Sequence, residues 1–170
     1  MHDLAWLNSL SAAEAANELL QCCGSKRWAR QMADARPYEN FADVITHANE
    51  TWWSLDRDDW LEAFRSHPKI GEKKAAESVS AQSKHWSGQE QAGVNTASTE
   101  TTNALATLNR AYEQKFGFIF IICATGKTSD EMLAALRERL EHDVAEELPV
   151  AAAEQYKITE LRLKKLLTGA

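Results

Sequence analysis

The clearest pattern in this chain is a helical stripe between Thr99 and Phe116, and it limits what the rest of the chain can fold into. The apolar side chains on this stripe are Ala104, Leu105, Leu108, Tyr112 and Phe116. Their spacing places them on one face of an α-helix, and Gly117 follows where a helix stop is expected. Because such a helix is stable in water only when its apolar face is covered, the other segments must supply the cover.

Most of the other segments also carry helix signals. Ser11 and Glu14 have the spacing of a capping box before an Ala- and Leu-rich run over 12–23, and Gly24 occupies the expected C′ position. Further helices are predicted near 26–35, 41–53, 56–66, 85–93 and 128–141 and towards the C-terminus, with 68–84 as a polar connection. The pattern predicts an all-α protein of about eight helices that forms a single domain over residues 1–170.

One segment, "FIFIICA" at 118–124, does not fit a helix. It is the only stretch in the sequence that reads as a β-strand, and no second stretch offers it a partner. We therefore expect an extended apolar connection there. At seven residues it is also far too short to cross a membrane.

Composition narrows the class of protein. The 170 residues carry a formal charge of −6, and the acidic and basic residues are interleaved, which argues against nucleic-acid binding. The start of the chain lacks the pattern of a secretory signal, and the terminal "LTGA" is not a peroxisomal tripeptide. We expect a cytoplasmic protein with no membrane partner.

Metal and disulfide chemistry have little support in the sequence. The cysteines are Cys22, Cys23 and Cys123, which form neither a disulfide framework nor a CxxC motif. No two of the five histidines have HxxxH or HExxH spacing. The sequence therefore predicts no metal site.

His67 is the first candidate for chemistry. Pro68 disfavours a helical conformation in the residue before it, so we expect His67 just past the last turn of the helix that ends near Ser66. The negative end of a helix favours a protonated imidazole, whereas burial opposes it, so the pKa of such a histidine can be set near neutrality. From position alone, His67 either transfers protons or caps the carbonyl groups at the helix end.

Two further polar positions remain open in the same way. Glu90 and Gln91 could present a carboxylate and an amide side by side, but Ser87 and Glu90 also have capping-box spacing. Arg162 stands next to an apolar stripe, where an arginine tends to have a fixed anionic partner. That partner could be a protein carboxylate or a bound substrate.

Four stretches taken together carry a resemblance. They are "FRSHPKIG" at 64–71, "WSGQEQAGV" at 86–94, "LNRAYEQKFGFIFIICATG" at 108–126 and "KITELRLKKLL" at 157–167. Their order and spacing resemble the 2-oxo-4-hydroxy-4-carboxy-5-ureidoimidazoline (OHCU) decarboxylase family of urate degradation, over nearly the whole chain. The resemblance implies an all-α fold, usually dimeric, in a cofactor-free carboxy-lyase that makes (S)-allantoin from OHCU.

The resemblance also implies roles for individual residues. His67 and Glu90 match the catalytic histidine and glutamate of the family. The implied substrate contacts are Pro68, Ser87, Gly88, Gln89, Gln91, Phe120, Ile121, Ile122, Cys123, Ala124 and Arg162. Two other interpretations stay open: a different cofactor-free hydrolase or isomerase of ureides or imidazolones, and a helical interaction module without activity.

Overall fold

The computed structural model describes residues 2–71 and 80–170, apart from the side chains of 95 and 96. Within these ranges the chain forms nine α-helices, one 3₁₀ helix and no β-strand, so the predicted all-α fold is confirmed. The α-helices are α1 Leu4–Ser9, α2 Ala12–Leu20, α3 Lys26–Asp34, α4 Phe41–Ser54, α5 Arg57–Arg65, α6 Ala81–Glu90, α7 Thr99–Phe116, α8 Ser129–Leu140 and α9 Val144–Thr168. The 3₁₀ helix, Ala92–Thr96, follows α6.

Side-chain caps determine where several of these helices begin. Ser11 and Glu14 form the predicted capping box at the start of α2, with each side chain bonded to the backbone N–H of the other residue. The predicted end of this helix, just before Gly24, was wrong. α2 stops at Leu20, and its C-cap is Gln21. α1 was not predicted, since six residues are too few to show a helical period.

The start of α6 also differs from the prediction. The sequence placed a helix near 85–93 after a polar connection over 68–84, but α6 begins at Ala81, and the Ser80 side chain accepts a bond from the backbone N–H of Ser83. The α6 sequence "AQSKHWSGQE" has no apolar stripe, which is why its first turn gave no periodic signal. Residues 72–79 of the predicted connection lie outside the described residues.

The described residues divide into two compact units. Unit 1 contains residues 1–63 and 156–170, and unit 2 contains residues 64–155. The largest fully buried side chains of unit 1 are Trp28, Trp52, Leu7, Leu19, Met32 and Leu163. The predicted single domain over 1–170 stays a prediction.

Unit 2 has an aromatic core next to the extended segment. The ring centroid of Tyr112 lies 4.5 Å from that of Phe116 and 5.3 Å from that of Phe120. Phe64 and Phe118 lie 5.5 Å apart. These aromatic pairs anchor the segment over 118–124, which is neither helix nor strand, as predicted.

Gly117 explains how the chain passes from α7 into that segment. Its φ of 78° lies in the left-handed region, which a glycine adopts without the steric cost that other residues bear. The predicted helix stop is therefore confirmed. Among the described helices, none is long and apolar enough to cross a membrane.

Candidate functional site

His67 lies just beyond the end of α5, where the sequence placed it. α5 ends at Arg65, and the backbone N–H of His67 donates to the carbonyl oxygen of Phe64 at 3.1 Å. The imidazole is half-buried, and its Nε2 lies 2.7 Å from Oε1 of Gln155 on α9. This contact fixes the ring in a defined orientation, which a catalytic proton-transfer group requires.

The loop from His67 to Gly71 is held at three further points. Asn109 of α7 donates from Nδ2 to the carbonyl oxygen of Ile70 at 3.0 Å, and Gln91 accepts from the backbone N–H of Gly71 at 3.1 Å. Lys69 forms an ion pair with Glu113 of α7 at 2.8 Å. Together with Gln155 of α9, residues of α7 and the C-cap residue of α6 therefore place the loop.

Glu90 is the last residue of α6 and is buried, with 7% of its surface exposed. It does not serve the start of a helix, because Ser80 is the N-cap of α6, so the capping-box alternative for Ser87 and Glu90 was wrong. Ser87 is also buried, whereas Gly88 and Gln89 are exposed. The buried members of this group are thus Ser87 and Glu90, one turn apart on the same helix.

The oxygen of the Gln91 side chain is the one that accepts from the backbone N–H of Gly71. From the sequence, Gln91 and Glu90 were expected to present an amide and a carboxylate side by side. In the structure Gln91 links α6 to the loop that carries His67 and Pro68. Its amide oxygen therefore has a backbone partner within unit 2.

The extended segment has polar anchors at Cys123. The backbone N–H of Cys123 donates to Oε2 of Glu154 at 3.1 Å, and its carbonyl oxygen accepts from Nζ of Lys127 at 3.0 Å. Phe120, Ile121, Ile122, Cys123 and Ala124 are all buried. The backbone N–H of Cys123, a residue that the resemblance implies as a substrate contact, is held by Glu154 in this structure.

The pKa of the Cys123 thiol depends on burial and on the charges around it. Burial raises its pKa above the ordinary value, the Glu154 carboxylate raises it further, and Lys127 acts in the opposite direction. Glu90 also contributes a smaller upward shift of this pKa. Two carboxylates, one from α6 and one from α9, therefore lie within electrostatic range of the extended segment.

Behind the segment lies a buried polar network. Arg139 of α8 donates from Nη1 to the carbonyl oxygen of Ile121 and from Nε to Glu147, both at 2.6 Å. Tyr112 donates its hydroxyl to the same Glu147 oxygen, and Nδ1 of His142 lies 2.8 Å from the other one. Burial raises the pKa of Tyr112, so its hydroxyl stays a donor.

Arg162 lies in unit 1. It is buried, with 3% of its surface exposed, and its Nη1 donates to the carbonyl oxygen of Gln21 at 3.3 Å. Burial raises the pKa of the Cys23 thiol to about 12, and the positive charge of Arg162 acts in the opposite direction. The predicted contact of Arg162 with substrate stays a prediction.

Several residues that shape unit 2 were missed from the sequence. They are Asn109, Arg139, Glu147, Glu154 and Gln155. Arg139 follows Met132 and Leu136 at helical spacing, and Asn109 lies between Leu105 and Tyr112 on the stripe of α7. A polar residue at a buried helical position is a signal that could have identified both of them.

Comparison with known proteins identifies the family of the chain. The family model described as OHCU decarboxylase matches residues 8–164. The chain is 42% identical over 148 residues to the uric acid degradation bifunctional protein TTL of Arabidopsis thaliana, covering 86% of this chain and 45% of that protein. It is 32% identical over 133 residues to the OHCU decarboxylase of Amia calva, covering 78% of this chain and 75% of that protein.

A solved structure is also similar. A crystal structure of OHCU decarboxylase in the presence of (S)-allantoin has a TM-score of 0.77 and 41% identity, covering 89% of this chain and 98% of that one. The chain spans less than half the length of the bifunctional relatives that it matches. Because the family model covers most of the chain, this protein belongs to the OHCU decarboxylase family.

Proposed function

We propose that this protein is a carboxy-lyase that converts OHCU to (S)-allantoin without a cofactor, in the degradation of urate. The observation that carries the proposal is the placement of His67 beyond α5, with its Nε2 held 2.7 Å from Gln155, in a chain of this family. The similarity to a decarboxylase crystallised in the presence of (S)-allantoin supports the same substrate class.

The substrate can supply its own electron sink. In OHCU the carbon that bears the carboxylate is next to a ring C=N bond, so the pair left by the departing CO₂ can be delocalised into that bond. The carbon–carboxylate bond breaks, and its electron pair forms a double bond to the neighbouring ureido-bearing carbon while the ring nitrogen of the C=N bond takes up a proton. The hydroxyl proton then leaves, so that the carbon that lost CO₂ becomes a carbonyl carbon, and a proton adds to the ureido-bearing carbon. The protein has to position the ring, move protons and restrict protonation to one face.

His67 is the proposed proton-transfer group. A histidine is suited to this work because its pKa lies near neutral pH, and the contacts of the 67–71 loop hold the ring in place. Protonation by a fixed group from one side gives one enantiomer of allantoin. Rigid placement of His67 is therefore what the reaction would need.

Glu90 is the second proposed catalytic group. It is a buried carboxylate at the end of α6, close enough to Cys123 to influence the pKa of that thiol. We infer that it accepts a hydrogen bond from the substrate and disfavours the nearby substrate carboxylate by charge repulsion, which favours loss of CO₂. The remaining contacts implied by the resemblance, including Arg162, are proposed to bind the substrate.

The test is circular dichroism of OHCU generated in place from urate by urate oxidase and hydroxyisourate hydrolase. With the protein present, a signal of (S)-allantoin should appear rapidly, together with an equal amount of CO₂. His67→Asn should abolish the acceleration, and Glu90→Gln should remove most of it. His85→Asn, which changes an exposed histidine of α6, should retain activity.

Two outcomes would count against the proposal. Product formation without matching CO₂ would favour a hydrolase or isomerase of ureides. Decay of OHCU at the uncatalysed rate, with folded protein, would favour the interaction module. The second result would return His67 to a structural role.

The resemblance supports a proposed assembly, and the composition of the sequence supports a proposed location. We infer a homodimer in the cytoplasm that binds OHCU and releases (S)-allantoin, without nucleic-acid or membrane partners. Sedimentation equilibrium of the purified protein would test the dimer, and a mass of one chain at micromolar concentration would contradict it.

A further inference from the structure

The contact between His67 and Gln155 also bears on which ring nitrogen of His67 carries a hydrogen. Gln155 has no exposed surface, and a buried side-chain amide of this kind is held by its hydrogen bonds. Its Oε1 is the atom that lies 2.7 Å from Nε2 of His67. A carbonyl oxygen can only accept, so Nε2 of His67 must carry the hydrogen of this bond.

We propose that Gln155 is a positioning residue that fixes the Nε2–H tautomer of neutral His67 and assigns proton exchange with the substrate to Nδ1. A neutral imidazole carries one ring hydrogen, so a donor at Nε2 makes Nδ1 the nitrogen with the lone pair. This inference rests on the proposed function, since it names the atom of His67 that would react. Gln155 itself acts through His67.

An amide at this position affects the charge of the His67 ring differently from a carboxylate. A carboxylate would hold the ring equally well, but its charge would favour the imidazolium and raise the pKa of His67. An amide orients the ring without adding charge. A residue that must both give and take a proton near neutral pH benefits from the neutral partner.

The neighbouring carboxylate of α9 has a different partner. Glu154 accepts from the backbone N–H of Cys123 in the extended segment, whereas Gln155 accepts from His67. Within the loop itself, Lys69 pairs with Glu113 of α7 at 2.8 Å. The consecutive residues Glu154 and Gln155 therefore hold two different parts of unit 2, the extended segment and the histidine.

The first test does not depend on activity. Nitrogen NMR of protein labelled at the histidine side chains, assigned by the loss of one signal set in His67→Asn, reports which ring nitrogen carries the hydrogen. The expected result above neutral pH is a protonated Nε2 and an unprotonated Nδ1. A protonated Nδ1 as the main form would overturn the assignment.

The second test compares two substitutions of Gln155. Gln155→Leu removes the acceptor, and we expect kcat to fall about 10- to 100-fold with little change in KM, because a misplaced catalytic group costs about this much. Gln155→Glu keeps an acceptor, and we expect it to retain the tautomer and move the histidine limb of the pH profile upward by about one unit or more. Gln114→Glu, an exposed change on α7, should move neither quantity.

The outcomes separate the two proposals. Wild-type kcat and unchanged histidine signals in Gln155→Leu would overturn the role of Gln155, even if the protein is a decarboxylase. The expected tautomer in a protein without decarboxylase activity would leave the tautomer assignment standing, but it would remove the proposed function and with it the exchange of protons at Nδ1. If Gln155→Leu does not fold, the wild-type tautomer and the pH profile of Gln155→Glu decide the question.

Discussion

Arg139 on α8 donates from Nη1 to the carbonyl oxygen of Ile121 at 2.6 Å, so a buried cation holds the middle of the extended segment. The same guanidinium lies 4.6 Å from the centre of the Phe120 ring and bonds to Glu147, which has no exposed surface. Arginine suits this position because its planar fork can donate to several acceptors at once. The segment proposed to line the substrate site thus depends on an ion pair outside that site.

We expect Arg139→Met to destabilise the protein by about 3–5 kcal/mol, because it removes the guanidinium from the buried Glu147 carboxylate and leaves it with the Tyr112 and His142 contacts. Urea unfolding measures this change. Arg137→Met, an exposed change two residues earlier on α8, should cost less than about 0.5 kcal/mol. The double variant Arg139→Met with Glu147→Leu should recover much of the loss, since it removes both charges. A small effect of Arg139→Met alone would show that the pair contributes little.

Gly93 gives a second prediction, based on close packing between backbones. A Cβ atom at this position would lie 2.3 Å from the carbonyl oxygen of Lys127, and backbone cannot move aside as a flexible side chain can. Gly93→Ala should therefore push the turn after α6 away from the turn that follows the extended segment. We expect a loss of about 1–3 kcal/mol in urea unfolding, as for other overpacked sites, together with a lower rate of the proposed decarboxylation.

Gly88 is the matched control for stability. It lies within α6, and a Cβ atom there meets no other atom within 4 Å. Gly88→Ala should leave the free energy of unfolding unchanged or raise it by up to about 1 kcal/mol, because alanine is the better helix former. Equal effects of the two substitutions would mean that the contact with Lys127 does not restrict Gly93.

Local signals explain which features could be predicted from the sequence. The capping box at Ser11 and the position of His67 before Pro68 depend on residues within a few positions of each other, and both are present in the structure. The partners of the site are remote in sequence. Gln155 lies 88 positions from His67, and no periodicity along one helix indicates which distant loop its side chain will meet. The start of α6 was missed for a different reason, since its first turn has no apolar stripe.

Asn109 gives a third prediction, about the loop that carries His67. Its Nδ2 donates to the carbonyl oxygen of Ile70, three residues after the histidine, and Asn109 is buried. Asn109→Leu should leave that carbonyl without this donor, at a cost of about 1–3 kcal/mol in urea unfolding. We also expect kcat for OHCU to fall more than KM rises, because the loop positions His67, the proposed proton-transfer group.

Asn103→Leu is the comparison for this change, since Asn103 is an exposed residue of the same helix. It should leave both stability and kcat close to those of the wild type. If Asn109→Leu lowers stability without any change in kcat, the bond to Ile70 supports the fold of unit 2 but does not position His67.

A fourth prediction concerns alkaline pH, because several acidic hydroxyl and thiol groups are held in the protonated form. Burial raises the pKa of Cys23 from 9.0 to about 12 and that of Tyr156 from 10.0 to about 12. Burial also raises the pKa values of Tyr38 and Tyr112 above 10.0. Each group favours the folded state as long as the pH stays below its unfolded pKa.

At a pH between the unfolded and the folded pKa of such a group, the unfolded chain releases a proton that the folded protein keeps. The free energy of unfolding should therefore fall as the pH rises. The expected slope is up to about 1.4 kcal/mol per pH unit for each such group, beginning near pH 9, and for Cys23 and Tyr156 it ends as the pH passes their folded pKa near 12. Urea unfolding from pH 8 to 11 measures it. Tyr156→Phe removes one titrating group and should flatten the curve above pH 10, whereas Ser11→Ala, which removes a helix cap, should lower stability by about 1 kcal/mol at every pH. Parallel curves for Tyr156→Phe and the wild type would show that the Tyr156 hydroxyl titrates alike in both states.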